Sequence, residues 1–317
     1  MEEKNVNTNA PDLFSMDSDD STMSFLVKQK RNQDGIYRPQ LDQKDKNKTY
    51  KSTIRFLPNL LEGGKAGPSA IPKHIHYVKI NNETLKGYYE CNKNYEDKCP
   101  LCSLYWKFDK SNNAAEKDKA KLVARNTKYY SYVLIIEDEQ QPELVGQIMV
   151  FQYGQKIKAK IEGEHNGEID GKCNVFSVEN GKDFRLLVKN ITDADGKTYP
   201  NYDSSSFLKR SSLKVYDAKN AKFHEAPVDA NGKIIEQKWK DKILKFLMER
   251  TVKLEDHKAV RWDDEIKAKV ENIISYLNGN DESSANQAIR NARTSVPSAE
   301  STDNAVESEE MDDFFKE

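Results

Sequence analysis

The pattern of apolar and polar positions divides this chain into three stretches. From Thr53 onward, short runs rich in β-branched and aromatic residues recur between turn-rich connections: "TIRFL" (53–57), "HIHYVKI" (74–80), "YYSYVLII" (129–136), "QIMVFQY" (147–153), "CNVFSV" (173–178) and "FRLLVKNI" (184–191). Such runs predict five or six strands closing a small barrel or sandwich. Asn180-Gly181 between the last two has the residue types of a two-residue hairpin turn, since both tolerate positive φ. Farther on the period lengthens to that of a helix. Ile235, Trp239, Ile243 and Phe246/Leu247 form one stripe, and Ile266, Val270, Ile273/Ile274 and Leu277 form a second, with Asp263-Asp264-Glu265 as its acidic start and Gly279 as its stop. A third helix is predicted from Leu101 to about Phe108, followed by a polar, Lys-rich stretch from Ser111 to Lys121. The first fifty residues are polar, broken by Gly35 and Pro39, and little fixed structure is expected there. After Asn280 the chain turns to Ser, Asn, Ala and acids, which cannot bury enough apolar surface to fold alone.

Length and charge sharpen this picture. With 317 residues, 37% hydrophobic and 32% charged, the chain suits one large domain with appended segments and a modest core. The net charge of -2 hides a segregation: residues 1–24 carry -5, residues 280–317 carry -7, and the body between them carries +10. A basic body between acidic ends attracts a polyanion. No run of about 18 apolar residues exists, and the start lacks a secretory pattern, so a soluble, intracellular protein with reduced thiols and no membrane partner is expected.

Three of the four cysteines lie within "ECNKNYEDKCPLC" (90–102). Cys99 and Cys102 have the spacing that lets one tight knuckle present two thiolates to the same ion, and Cys91 supplies a third. Cys173 is too remote in sequence to be the obvious fourth. His74 and His76 sit two apart on a strand-like run and so face one side; either could complete the set, and His76 is favoured, giving H-x14-C-x7-C-x2-C. Four protein ligands leave no open position, so one structural zinc ion is expected rather than a catalytic one. A nucleobase-deaminase reading fails, because Pro100 lies inside the knuckle and neither histidine is followed two residues on by Glu.

The fifteen tyrosines often stand beside bases, as in "RNTKYYSY" (125–132), "FQYGQKIKAK" (151–160) and "GKTYPNYDSSSFLKR" (196–210). Aromatic faces stack on unpaired bases while neighbouring cations follow the phosphates, a combination that tolerates any sequence. No G-x-x-x-x-G-K-[ST] is present, which argues against an ATP-driven motor. Asp193-Ala194-Asp195-Gly196 has Ser204 where a calcium loop needs its closing Glu, and reads as a turn.

These residues together resemble a known family, the single-stranded DNA-binding, helix-destabilising proteins of T-even-type bacteriophages. The resemblance runs from about Gly35 to Gly279 and is carried by "STIRFLPN" (52–59), the His-then-Cys, Cys-Pro-x-Cys pattern, "RNTKYYSYVLIIED", "VFQYGQKI", "YPNYDSSSFL" and the two closing helices. It implies an α+β, mainly β fold: an OB-fold barrel core with a zinc-binding subdomain inserted at about 70–125, C-terminal helices, and a disordered acidic tail. The expected organisation is a flexible segment at 1–34, a DNA-binding core at 35–279, and an interaction tail at 280–317. Zinc would be held by His76, Cys91, Cys99 and Cys102. By matching positions, the resemblance assigns Arg125, Lys128, Tyr129, Tyr153, Lys156, Tyr199 and Tyr202 to DNA; Met311, Phe314 and Phe315, set among carboxylates in the acidic tail, are expected to dock replication and recombination partners. The implied activity is non-enzymatic: coating and melting structure in single strands during phage replication, recombination and repair, in the cytoplasm of the infected bacterial host. A zinc-stabilised RNA-binding or scaffold protein, such as a translational regulator, is the alternative. The chain departs from the family pattern in beginning acidic, with Lys28, Lys30 and Arg31 displaced inward where a basic arm for self-association along DNA would stand, and in having Asn126 where another cation is usual.

Overall fold

A computed structural model describes residues 35–39, 41, 49–60, 67–168, 170–192, 198–248 and 253–279. The expected arm at Lys28, Lys30 and Arg31, the Asp193–Gly196 turn and the tail with Met311, Phe314 and Phe315 lie outside the described residues.

Nine strands form one sheet. Its main path is β1 (Ile36–Tyr37), β6 (Ile148–Tyr153), β5 (Arg125–Asp138), β2 (Tyr50–Phe56), β7 (Gly181–Thr192) and β8 (Thr198–Asn201); β3 (Ile71–Val78) pairs with β5, β4 (Gly87–Glu90) with β3, and β9 (Ser206–Ser211) with β7. A separate hairpin joins β10 (Lys214–Asp217) to β11 (Lys222–Glu225). Five helices complete the described fold: α1 (Pro100–Asp109), α2 (Ala114–Lys121), α3 (Gln155–Asn166), α4 (Gln237–Met248) and α5 (Asp264–Leu277).

Both sides of the sheet are covered. Along β5, Val133 and Ile135 enter one apolar cluster with Ile54, Phe56, Phe151, Phe184 and Leu186, while Tyr130, Tyr132, Leu134 and Ile136 enter a second with Ile243 and Leu247 of α4. Burial on both faces explains why "YYSYVLII" reads as continuously apolar rather than alternating. Phe56 centres the first cluster, its ring 5.7–6.3 Å from those of Phe151, Tyr153, Phe176, Phe184 and Phe207.

Between Ile54 and Phe56, Arg55 is 1% exposed. Its guanidinium donates to Asp183 Oδ1 (3.0 Å), Ser177 O (2.8 Å), and Ser211 Oγ and O (3.1 and 3.0 Å). Removing one member of such a pair leaves a buried charge, at about 3–5 kcal/mol.

The run 173–178 is not a strand. It forms turns and irregular backbone, with Val175 buried and Phe176 packed on the first cluster; Ser177 O accepts from Arg55, Asn174 O from Ser177 N and Val178 O from Leu213 N, so no ladder forms. Asn180-Gly181 therefore closes no hairpin. Glycine is required there by crowding: a Cβ on Gly181 would lie 2.4 Å from Ser177 O and 2.7 Å from Val175 O. Two further differences concern elements with sparse apolar patterns. Ala120 is the buried residue of α2, and α3 buries Ile157, Gly163 and Glu164, so neither shows a full stripe in the sequence. Ile235, expected on the α4 stripe, precedes the helix and is 64% exposed. Within the first fifty residues, Ile36 and Tyr37 do have fixed structure, because they pair in parallel with Val150 and Phe151, and Tyr37 donates from its hydroxyl to Asp138 (2.7 Å).

The two C-terminal helices part company. While α4 packs on the sheet, α5 sends Val270, Ile273 and Leu277 into a third cluster with Val78, Leu101, Leu104, Phe108 and Val123. Its start is capped by Asp263, which accepts from Ile266 N, and Gly279 follows its end at φ 79°.

Candidate functional site

The third cluster surrounds the cysteines. β3 and β4 present His76 and Cys91, and the N-terminus of α1 presents Cys99 at its cap and Cys102 in its first turn, with Pro100 between them where a missing N–H costs nothing. Asn94 ties the intervening loop to β3, accepting from His74 N and donating to His74 O, both at 2.8 Å.

The four ligand atoms lie within 4.8 Å of one another. His76 Nε2 is 3.4 Å from both Cys99 Sγ and Cys102 Sγ, and Cys91 Sγ is 3.5 Å from Cys102 Sγ. Metal–sulfur bonds of about 2.3 Å and metal–nitrogen bonds of about 2.0–2.1 Å in a tetrahedron demand edges of roughly 3.5–3.8 Å. These contacts are close to those edges, so the set could hold one metal ion. Of the two histidines, His76 is the one whose ring stands in this cluster. His76 is fully buried and donates from Nδ1 to Val123 O (2.8 Å), leaving the Nε2 lone pair for a metal. His74 instead turns Nδ1 to Thr127 Oγ1 (2.8 Å). Cys173 stands apart, its thiol on Asn180 O.

Hydrogen bonds from Cys102 and Cys91 hold the Cys99 thiol far below its ordinary range, while Cys91 and Cys99 push the Cys102 thiol up. Burial opposes a charged His76 ring, but Cys91, Cys99 and the thiolate charge outweigh it and raise it to about 9. A bound divalent cation would permit all three thiolates at once.

The basic and aromatic residues gather nearby. β5 is long enough to run from the twin-faced sheet to the metal lobe, and its residues alternate sides. Arg125, Thr127 and Tyr129 share the side of Val133 and Ile135; Lys128 lies on the opposite side, with Tyr130. Tyr129 stacks on Tyr153 with centroids 5.7 Å apart and planes at 25°. Tyr153 itself is 4% exposed, with its hydroxyl 3.0 Å from Ser131 Oγ, so it supports Tyr129 from beneath rather than offering a free face. The start of α3 adjoins them: Gln155 donates to the Tyr129 hydroxyl (3.2 Å), and Lys158 Nζ stands 5.7 Å from the Tyr129 ring centroid.

Lys156, exposed on the same helix, pairs with Asp203 at 3.3 Å, and Lys160 donates to Asp203 O at 3.1 Å. This brings Tyr202, half-buried against the first cluster, to the edge of the same region. Tyr199 is carried three residues earlier on β8, opposite Ile191. Arg125 lies close enough to His74 that burial and its positive charge together hold that imidazole below its ordinary value. The structure thus joins Tyr129, Tyr153, Lys156 and Tyr202 around one region, sets Arg125 on the same side of β5 four residues along the strand, and puts Lys128 on the opposite side. Gln155 and Lys158 were not singled out in the sequence; the signal was Ile157 and Ile161 four apart after Gly154, the face of a short helix.

Among the described residues no helix is long and apolar enough to cross a membrane. A family model described as "gp32 DNA binding protein like" matches residues 48–272. The single-stranded DNA-binding protein of Enterobacteria phage T4 is 28% identical over 169 residues, covering 52% of this chain and 53% of that protein. The protein of the same description from Enterobacteria phage T2 is 27% identical over a stretch of equal length. The chain therefore spans about half the length of these curated relatives. With a family match covering well over half of its residues, including the whole Cys/His cluster and the β5–α3 region, this chain belongs to the gp32 DNA binding protein like family.

Proposed function

We propose that this protein binds single-stranded DNA without strong sequence preference, using the region between the sheet and the metal lobe, and that it coats strands exposed in phage replication, recombination and repair in the host cytoplasm. The observation that carries this reading is the Tyr129–Tyr153 stack with Lys158 over the Tyr129 ring and Lys156 on the same helix, Arg125 lying farther along the same side of β5. A π-face supported from below accepts a base, and the cations beside it take the phosphates, so affinity falls with added salt. Helix destabilisation follows without fuel, since a ligand that prefers the unpaired form shifts the equilibrium by that preference alone. On this reading the protein is a binding protein, not an enzyme; its curled sheet is of the OB type; and Tyr199 and Tyr202 extend the stacking path. Partner recognition through Met311, Phe314 and Phe315, and self-association through Lys28, Lys30 and Arg31, belong to the same proposal.

The metal in this reading is a single zinc ion. When bound it supplies a fixed tetrahedral centre and no chemistry on substrate. His76, Cys91, Cys99 and Cys102 hold β3, β4 and α1 together, and Val123 O, which orients His76, lies two residues before Arg125.

The test is a titration of intrinsic fluorescence with oligo-dT, oligo-U and duplex DNA at several salt concentrations. Quenching by oligo-dT with a steep negative salt slope and weak duplex binding is expected. Equal affinity for oligo-U and oligo-dT would favour the RNA-binding reading, because only RNA offers the 2′-hydroxyl. Equal affinity for duplex would overturn the proposal.

A further inference from the structure

The metal-lobe part of the sheet has a second side. His76 and Val78 of β3 lie on the side of the cysteines, and His74 shares that side, so Lys73, Ile75 and Tyr77 lie on the other. The register sets Tyr77 opposite Tyr88, Ile75 opposite Glu90 and Asn126, and Lys73 opposite Lys128. The Tyr77 and Tyr88 rings stack with centroids 4.6 Å apart and planes at 35°, and Tyr88 is 48% exposed. Lys86 and Lys79 lie just beyond the Val78–Gly87 pair at one end of this stack, and Lys73 and Lys128 lie toward the other. Two carboxylates adjoin the patch. Glu90 is taken up by Lys73, by the Tyr95 hydroxyl and by Val260 N, and Glu83 lies 3.9 Å from Lys86 in an exposed pair of little strength. β4 pairs on one side with β3, so the patch reaches the sheet's edge among the described residues.

We infer that Tyr77 and Tyr88, with Lys73, Lys79, Lys86 and Lys128, form a second contact for single-stranded nucleic acid, on the back of the metal-lobe sheet and distinct from the Tyr129 region. The outer face of the stacked pair takes a base. Lysines two and four residues along the strands, about 6.7 Å per two residues, are spaced to meet successive phosphates of an extended strand. Lys128 thereby acquires a role that its position behind Tyr129 otherwise denies it. This inference rests on the single-strand-binding reading above.

The test compares oligo-dT of about 6 nucleotides, which fits the front region, with oligo-dT of about 20 nucleotides. The full chain is used, as wild type and as Tyr88→Ala, Tyr88→Phe and Lys86→Glu. Tyr88→Ala is expected to weaken binding of the long strand about 5-fold or more while leaving the short strand unchanged, and Tyr88→Phe restores it. Lys86→Glu, at an exposed side chain that folding does not need, should flatten the salt slope for the long strand alone. If Tyr88→Ala shifts the melting curve, Lys86→Glu decides the matter. Unchanged long-strand binding in both variants, or an equal loss for both lengths, overturns the inference and leaves the single-strand reading intact. Failure of the wild type to bind either length overturns both.

Discussion

Exchanging the two histidines of β3 one at a time separates metal ligand from bystander. His76→Ala removes Nε2 from its place 3.4 Å from two thiol sulfurs and strips Val123 O of its donor. The orphaned carbonyl costs about 1–3 kcal/mol. A metal present at a thousandfold its dissociation constant contributes about 4 kcal/mol, which the variant loses with it. The total of roughly 5–7 kcal/mol, at about 2–4 °C per kcal/mol for a chain of this size, lowers the melting midpoint by roughly 10–28 °C. His74→Ala gives up one half-buried hydrogen bond to Thr127, about 1 kcal/mol or roughly 2–4 °C. Metal per chain by plasma mass spectrometry, with calorimetric melting of the same samples, reads both effects. Full metal and a near-normal midpoint in His76→Ala, or metal loss in His74→Ala, would refute the assignment.

Four further outcomes are expected. Tyr129→Ala should weaken oligo-dT binding by about 1–3 kcal/mol while Tyr129→Phe retains most of it, as measured by fluorescence titration; equal losses in both would point to the hydroxyl instead of the ring. Asp203, held below the usual carboxylate range by Asn201 and then by Lys156, draws charge away from the DNA region. Asp203→Asn should therefore tighten oligo-dT binding by up to about 5-fold and steepen the salt dependence. Its carboxylate's contribution to stability is present above about pH 4 and fades as pH falls through the lowered folded value, so an acid melting series on wild type and Asp203→Asn should converge at low pH. Gly181→Ala forces a Cβ to 2.4 Å from Ser177 O and should cost about 1–3 kcal/mol or more in urea unfolding without changing metal content.

The Cys3His cluster was readable because its spacing is local. A C-x2-C across the first turn of a helix specifies its own geometry, and only the choice between His74 and His76 waited for a third dimension. Both were expected on one side of a strand, and they are; Val123 O, 47 residues away, decides which ring is aimed at the cysteines. Most strands were legible for the same reason, as each run carries its own β-branched and aromatic content. The segment 173–178 has that content too, yet Ser177 O is taken by Arg55, Ser177 O and Val175 O pack close against Gly181, and no ladder forms. The helices α2 and α3 were hidden by the opposite circumstance, since each buries few residues and shows no full stripe.

Composition and local spacing established a mainly β protein, a Cys3His cluster, and bases interleaved with tyrosines. They left open which of those bases and rings share a surface. Arg125 and Lys128 are three apart and land on opposite sides of β5, Tyr153 is covered by Tyr129, and α5 leaves its neighbour α4 to close the metal lobe. Alternation along a strand fixes relative facing, but which side meets the core, and which strand lies alongside, comes from pairings between residues far apart in the chain, and no local pattern records them.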